Sequence, residues 1–152
     1  MRIRPAALDD LDTIVANNLA MALETEDVAL TPGVARRGVE AALAGRVDAF
    51  YRLAQESDDG PVIGQLMITR EWSDWRNAFV WWIQSVYVPP EARGRGAYKA
   101  LYEHARAEAR SAGAAGLRLY VDVRNARART VYERLGMRGD HYQVFEAMFD
   151  RG

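Results

Sequence analysis

Apolar residues recur along the chain at two different spacings. Across residues 9–24 they return every three or four positions, which predicts an amphipathic helix. Asp9 and Asp10 stand where their carboxylates would cap this helix near the positive end of its dipole. The pair Thr31-Pro32 predicts the start of a second helix, with a capping hydroxyl and a proline in its first turn.

A period of two replaces the helical period in the middle of the chain. Residues 49–55 and 62–72 read as two strands, and the turn residues at 57–60 join them into a hairpin. Residues 77–88 carry bulky apolar side chains on both faces, which predicts a strand at the centre of a sheet. A short first strand is predicted around Ile3.

The second half of the chain alternates helix and strand. A helix is predicted over Gly96–Ala112, a strand over Leu117–Val123, a helix over Ala126–Leu135 and one or two final strands over Met137–Asp150. A strand, a helix and a strand in succession require a parallel pair, and the hairpin before them makes the sheet mixed. The sequence therefore predicts a single α/β domain over residues 1–152, with a mixed sheet and four helices.

Composition restricts the function classes. The net charge of -1 gives no bulk attraction to nucleic acid or to an anionic membrane. The chain has no cysteine, which excludes thiol catalysis and thiolate-bound metals and fits a reducing compartment. The charge-free run at residues 77–88 is too short to span a bilayer, and the aspartates near the N-terminus argue against a signal peptide. We expect a cytoplasmic protein.

The strongest chemical signal lies in residues 86–98. Here the central strand leads into a loop with Arg93, Gly94, Arg95 and Gly96, and a helix begins at once. The first amides of a helix lack internal partners, so they bind an anion through the backbone alone. The glycines let that backbone approach a ligand, and the arginines add charge suited to phosphate. A loop with merely solvated arginines is the alternative.

The segment Arg93–Tyr98 resembles the coenzyme-binding signature of the GNAT superfamily of N-acetyltransferases. That signature is Arg or Gln, two residues, Gly, one residue, and Gly or Ala, and it follows a valine that ends the central strand. Val88 stands at the matching distance, whereas Tyr98 occupies the position where Gly or Ala is usual.

A second segment, Asn125–Met137, is similar to the Asn-x-x-Ala-x-x-x-Tyr pattern of the same family, which is followed by Gly and a large apolar residue. The resemblance implies a GNAT-like fold in which the two central parallel strands splay apart. It also implies that acetyl-coenzyme A (acetyl-CoA) binds between these strands. The similarity is close over residues 77–140 and rests on element order elsewhere.

The resemblance assigns roles to individual residues. By this resemblance the coenzyme contacts Val86, Tyr87, Val88, Arg93, Gly94, Arg95, Gly96, Ala97, Tyr98 and Asn125. A backbone N–H between Val86 and Val88 can stabilise the oxyanion of acetyl transfer. Tyr132 matches the position of the family's general acid, which protonates the leaving thiolate. Tyr132 as a packed core residue, and Asn125 as a plain helix cap, are the alternatives.

Several acidic residues are candidates for the general base and for binding the acceptor. Asp122 and Glu71 lie near strand ends and are candidate bases, acting directly or through water. Glu24 and Glu26 lie where the first helix ends, a region that borders the acceptor site in the resembling family. With Trp72 they are candidates for acceptor binding. Such acidic residues favour a cationic amine as the acceptor, although exposed carboxylates are usually only solvated surface charges.

Two further sets of side chains have several readings. The tryptophans can pack the core, form the face of a homodimer or line an aromatic pocket for an amine; they are Trp72, Trp75, Trp81 and Trp82. The two histidines, His104 and His141, have no neighbours at metal-ligand spacing, so we expect no metal.

These observations predict an acetyl-CoA-dependent N-acetyltransferase acting on a primary amine of a small molecule or peptide. The amine would attack the thioester directly. A non-catalytic sensor of acyl-CoA is the alternative from another class, and a larger acyl group is an alternative because Tyr98 and the tryptophans can reshape the cleft. Nucleic-acid binding through Arg124, Arg127, Arg129 and the helix at 31–44 is disfavoured by the neutral net charge.

Overall fold

The computed structural model describes residues 1–150. The elements in chain order are β1 (Arg2–Pro5), α1 (Leu11–Glu26), α2 (Pro32–Leu43), β2 (Ala49–Gln55), β3 (Val62–Ser73), β4 (Ala78–Tyr87), α3 (Ala97–Ser111), β5 (Gly116–Leu119) and α4 (Ala126–Arg134). The chain forms two compact units, of which the first is Met1–Leu119 and the second begins at Tyr120. The expectation of a single domain over residues 1–152 stays a prediction.

The first unit contains one five-stranded sheet with the strand order β1-β2-β3-β4-β5. The three pairs from β1 to β4 are antiparallel, and β4 pairs with β5 in parallel. The crossover between β4 and β5 is made by α3, as a parallel connection requires. The predicted mixed sheet is confirmed, and the hydrophobic strand β4 is an inner strand next to the central strand β3.

The parallel pair separates before β4 ends. Its last paired residues are Ile83 and Leu119, whereas β4 continues to Tyr87 and stays paired with β3 there. A bulge on the β3 side leaves Gln84 of β4 outside the paired register, although its side-chain amide donates to the hydroxyl of Thr69 in β3. Within residues 1–150, no strand pairs with the β5 side of β4 beyond Ile83. The pairing of β4 with β5 stops at Ile83 and Leu119, where β5 itself ends, and the splay expected from the family resemblance stays a prediction.

Helices cover both faces of the sheet. Tyr51 and Leu53 of β2 pack in one hydrophobic cluster with Ile14 of α1 and Val39 of α2. Successive strand residues point to opposite faces. Arg52, between those two positions, forms an ion pair with Glu108 of α3 on the other face.

Two predicted helix caps are absent. Asp10 is the N-cap residue of α1 but its side chain makes no capping hydrogen bond; Asp9 lies in a turn of 3-10 helix before it. The Asp10 carboxylate instead accepts hydrogen bonds from both terminal nitrogens of Arg4, each with an N···O distance of 2.8 Å, and from the backbone N–H of Ala7. A two-pronged guanidinium is a stronger partner than a helix amide. Thr31 is the N-cap residue of α2, but its hydroxyl makes no capping hydrogen bond.

The ion pair of Arg4 with Asp10 predicts a pH-dependent stability. Arg4 lowers the pKa of Asp10, so its stabilising effect is present above the unfolded pKa near 4 and is lost as the pH falls through the folded pKa. Asp10→Asn should lower the free energy of unfolding by about 1.5–3 kcal/mol at neutral pH. In urea unfolding, the difference between the two proteins should shrink at pH 3.

The matched control is Asp12→Asn. Asp12 also pairs with an arginine, Arg36, but its side chain is 84% exposed, and such surface pairs contribute little. Equal losses for Asp10→Asn and Asp12→Asn, or an Asp10→Asn effect that is the same at both pH values, would contradict this account.

The strand predicted over Leu117–Val123 is present but shorter, and the strands predicted over Met137–Asp150 are wrong. The first of these strands begins at Gly116 and ends at Leu119, and a turn follows in which Asp122 accepts the N–H of Arg124. The structure forms no strand between Met137 and Asp150, where one or two final strands were predicted. Apolar side chains alone do not make a strand, because a strand also needs a partner for its backbone groups.

None of the helices in residues 1–150 is both long enough and apolar enough to cross a bilayer.

Candidate active site

The loop between β4 and α3 depends on two glycines. Gly94 and Gly96 have φ values of +78° and +83°, a left-handed conformation that residues with a side chain rarely adopt. Gly96 is the N-cap residue of α3 and has no side chain that could cap the helix. The start of α3 therefore has the loop and helix geometry that the sequence predicts for an anion site.

Gly64 of β3 supports the start of α3, and its role was not recognised from the sequence. A Cβ at Gly64 would lie 3.2 Å from Leu101, 3.4 Å from Val88 and 3.5 Å from Ala97. Because Gly64 has no side chain, Ala97 and Leu101 of α3 can pack directly on β3, together with Val88, which follows β4. A glycine inside a strand pattern was the available signal, since it often marks such a close approach.

Both loop arginines are held by protein groups. The Nε of Arg93 donates to the carbonyl of Val88 at 3.1 Å, and its guanidinium forms an ion pair with Glu24. Arg95 donates to Glu56 at 3.1 Å and to the carbonyl of Glu91 at 3.0 Å. Arg93 therefore binds the backbone just after β4, in addition to the phosphate contact that the sequence predicts for it.

Tyr87 is the last residue of β4, and its side chain is buried. Its hydroxyl donates to Oε2 of Glu24 at 3.3 Å. Burial, followed by the negative charge of Glu24, raises the pKa of Tyr87. The structure thus brings Glu24 together with Tyr87, Val88 and Arg93, while Glu26 lies exposed as the last residue of α1.

The open edge of β4 lies next to this loop. Residues 84–87 form the part of β4 that has outrun β5. The backbone groups on that side have no paired strand in the described part of the chain, and they could pair with an extended ligand. This open edge includes Val86 and Tyr87 and leads to Val88. These are the three residues that the family resemblance assigns to coenzyme binding and to the oxyanion donor.

Glu71 and Trp72 do not lie with this loop. Glu71 of β3 pairs with Val80, seven residues before Tyr87, which corresponds to about 23 Å along β4. Its carboxylate accepts the indole N–H of Trp82 at 2.5 Å and contacts Arg118 at 3.4 Å. Trp72 packs edge-to-face on Phe79 at the same end of the sheet. Because β3 runs antiparallel to β4, Glu71 and Trp72 lie at the opposite end of β4 from the loop; their roles in catalysis and acceptor binding stay predictions.

The tryptophans lie in different environments. Trp81 is buried and packs edge-to-face on Phe50, as core packing predicts. Trp75 is exposed on the turn between β3 and β4. In residues 1–150, no three His, Cys, Asp or Glu side chains are grouped so that they could hold a metal ion; the expectation of no metal stays a prediction.

In the second unit, Asn125 caps α4. Its Oδ1 accepts the N–H of Ala128 at 3.0 Å, which is the plain cap that the sequence left open as an alternative. Tyr132 lies on α4 and is only partly buried, and α4 has no fully buried residue. The role of Tyr132, as general acid or as a packing residue, stays a prediction.

Asp122 is bound by its neighbour Arg124. The guanidinium donates to both carboxylate oxygens, and the backbone N–H of Arg124 donates to Oδ1. The side-chain bonds and then the backbone bond lower the pKa of Asp122 to about 2. A general base works best with a pKa near the operating pH, so Asp122 is a weak base.

The chain is similar to known acetyltransferases in sequence and in fold. The model of the acetyltransferase (GNAT) family matches residues 29–137. The chain is 37% identical to a "possible acetyltransferase" from Clostridium difficile 630, with a TM-score of 0.89 over 99% of this chain and 98% of that one. A "probable acetyltransferase" is 25% identical, with a TM-score of 0.86 over 100% of both chains.

A more distant structure shares the fold alone. The ribosomal-protein-alanine N-acetyltransferase from Brucella melitensis biovar Abortus 2308 is 19% identical, with a TM-score of 0.75 over 97% of this chain and 98% of that one. No curated protein matches the chain significantly.

Proposed function

Because the chain belongs to the GNAT acetyltransferase family, we propose that it transfers an acetyl group from acetyl-CoA to a primary amine of a small molecule or peptide. The observation that carries this proposal is the glycine loop at the start of α3, beside the open edge of β4. The first feature suits a diphosphate, and the second suits the extended arm of a coenzyme.

The loop from Arg93 to Tyr98 would bind the diphosphate through its backbone. The N–H groups of Gly94, Gly96, Ala97 and Tyr98 are the donors we assign, with Arg95 at the rim. The positive end of the α3 dipole adds to their attraction for an anion. Tyr98 contributes its N–H like any residue, and its partly buried ring must point away from the diphosphate.

The end of β4 would hold the acyl group. Acetyl-CoA supplies a thioester whose carbonyl carbon the amine attacks. A backbone N–H between Val86 and Val88 would stabilise the oxygen that becomes negative, and one such donor is typically worth about 3 kcal/mol. The bulge at Gln84 supports this assignment, because bulges re-aim backbone groups next to active sites.

Two residues of the second unit complete the proposal. Tyr132 would donate the proton that the leaving sulfur needs. A phenol is a weaker acid than a thiol, so this transfer requires the sulfur to be close and poorly solvated. Asn125 would contact the coenzyme with the part of its amide that the helix cap does not use.

The acceptor would be a cationic amine. Glu26 is exposed at the end of α1, and its charge attracts an ammonium group. Glu24 adds to this charge only in part, because Arg93 pairs with it. Asp122 would remove the amine proton only inefficiently, because Arg124 keeps its pKa low.

We further propose a cytoplasmic enzyme and a homodimer. The absence of cysteine fits a reducing compartment, and exposed Trp75 suits an interface, where tryptophan is enriched.

The proposal is tested by a coenzyme-release assay. Acetyl-CoA is offered with polyamines, aminoglycosides, amino acids or peptides with free N-termini, and released thiol is measured. We expect at least one primary amine to raise release well above background hydrolysis. Binding of acetyl-CoA without release for any amine would instead favour an acyl-CoA sensor. Faster release from propionyl-CoA than from acetyl-CoA would favour a larger acyl group.

A further inference from the structure

Glu24 joins three parts of the first unit. Its Oε1 is bound by the guanidinium of Arg93, and its Oε2 accepts the hydroxyl of Tyr87. Arg93 continues the connection, because its Nε donates to the carbonyl of Val88. One series of bonds therefore runs from the last turns of α1 to the end of β4 and to the first residue of the glycine loop.

This connection is less exposed than the other ion pair of the loop. The side chains of Glu24 and Arg93 are each 37% exposed, whereas those of Arg95 and Glu56 are each 51% exposed. Tyr87 is 6% exposed, so one oxygen of Glu24 faces a buried donor. Charge-assisted bonds weaken with solvent access, and the pair of Glu24 with Arg93 is therefore the better anchored of the two.

The groups facing Tyr87 keep its hydroxyl a donor. Burial and the charges of Glu24 and Glu91 oppose ionisation, and Arg93 only partly offsets them. Both partners of Glu24 therefore donate hydrogen bonds to it throughout the ordinary working range of pH.

The loop needs such an anchor. Gly94 and Gly96 adopt left-handed conformations, and glycine loses more conformational freedom on ordering than any other residue. Backbone donors bind a ligand tightly only when they are already held in the bound geometry. Arg93 precedes the first glycine directly, and its side chain is fixed by both Val88 and Glu24.

We propose that Glu24 is a positioning residue for coenzyme binding. Through Arg93 it holds the Val88 carbonyl and the loop 93–98 in the arrangement that binds the diphosphate, and it touches the diphosphate at no point. This inference rests on the proposed function, and it gives Glu24 a role distinct from attracting the acceptor.

A double-mutant cycle tests the proposal. Dissociation constants for coenzyme A are measured by calorimetry for the unchanged chain, Glu24→Gln, Arg93→Met and the double variant. We expect Glu24→Gln to weaken binding about five- to tenfold, a value reduced for the partial exposure of the pair. In the Arg93→Met background, Glu24→Gln should have no further effect, because its target is gone.

The matched control is Glu56→Gln. It makes the same change opposite the other arginine of the same loop, and we expect coenzyme A to bind no more weakly, since Arg95 is released toward the ligand. Tyr87→Phe removes only the second partner of Glu24, and its expected loss of affinity is smaller than that of Glu24→Gln.

Three results would overturn the proposal. The first is an unchanged affinity of Glu24→Gln for coenzyme A with a raised KM for the amine, which would make Glu24 a direct acceptor ligand. The second is additive loss in the double variant. The third is a loss of affinity explained by unfolding, shown by a fall in Tm to near the assay temperature. If the unchanged chain does not bind coenzyme A, the proposed function itself fails, so the two failures are distinguishable.

Discussion

Replacing Gly96 with glutamate is expected to weaken the binding of acetyl-CoA at least about a hundredfold. The new carboxylate would stand at the N-terminus of α3, where the proposed diphosphate binds. Like charges brought together cost several kcal/mol, and every 1.4 kcal/mol is a factor of ten in affinity. Isothermal titration of Gly96→Glu with acetyl-CoA measures the effect directly.

Two controls separate charge from backbone strain. Gly96→Ala keeps the cost of a side chain at a φ of +83°, about 1–2 kcal/mol, and adds no charge. Gly113→Glu places the same carboxylate at a φ of +75° beyond the other end of α3. We expect affinity to be largely retained in both. A Gly96→Glu variant that binds normally, or a Gly96→Ala variant that loses as much, would show that the loop does not bind the diphosphate.

Tyr132→Phe is expected to lower kcat about a hundred- to a thousandfold while the affinity for acetyl-CoA stays unchanged. The substitution removes only the hydroxyl, and with it the proton that we assign to the leaving sulfur; general acid catalysis typically contributes such a factor. Thiol release at saturating amine gives kcat, and titration with coenzyme A gives the affinity.

Tyr142→Phe is the control for this second experiment. Tyr142 belongs to the same unit and is 72% exposed, and its substitution should leave kcat close to that of the unchanged chain. If Tyr132→Phe retains full kcat, Tyr132 is a packing residue and the proposed general acid is wrong. A fall in kcat matched by unfolding of the variant would lead to the same conclusion.

Local patterns predict much of this fold because they describe local physics. The hairpin partner Ala49–Gln55 has the predicted bounds, since its alternation and the turn after it both depend on neighbouring residues. The loop at Gly94 and Gly96 was found for the same reason. Its glycines and its helix start lie within a few positions of each other, and the structure gives both glycines the left-handed conformation.

Features that join distant parts of the chain could not be predicted in this way. The pair of Glu24 with Arg93 spans 69 positions, and nothing near either residue indicates the other. The location of Glu71 depends on the register of β3 against β4, which the sequence pattern does not reveal. The sequence predicts Asp10 as a helix cap, because a local pattern does not show that Arg4 bonds its carboxylate in the fold.

A crystal structure with bound coenzyme A tests the central claim most directly. We expect diphosphate oxygens about 3 Å from the backbone N–H groups of residues 94–98, with the thiol beside the hydroxyl of Tyr132. A coenzyme bound at another surface, or a sulfur well beyond hydrogen-bond reach of that hydroxyl, would contradict it.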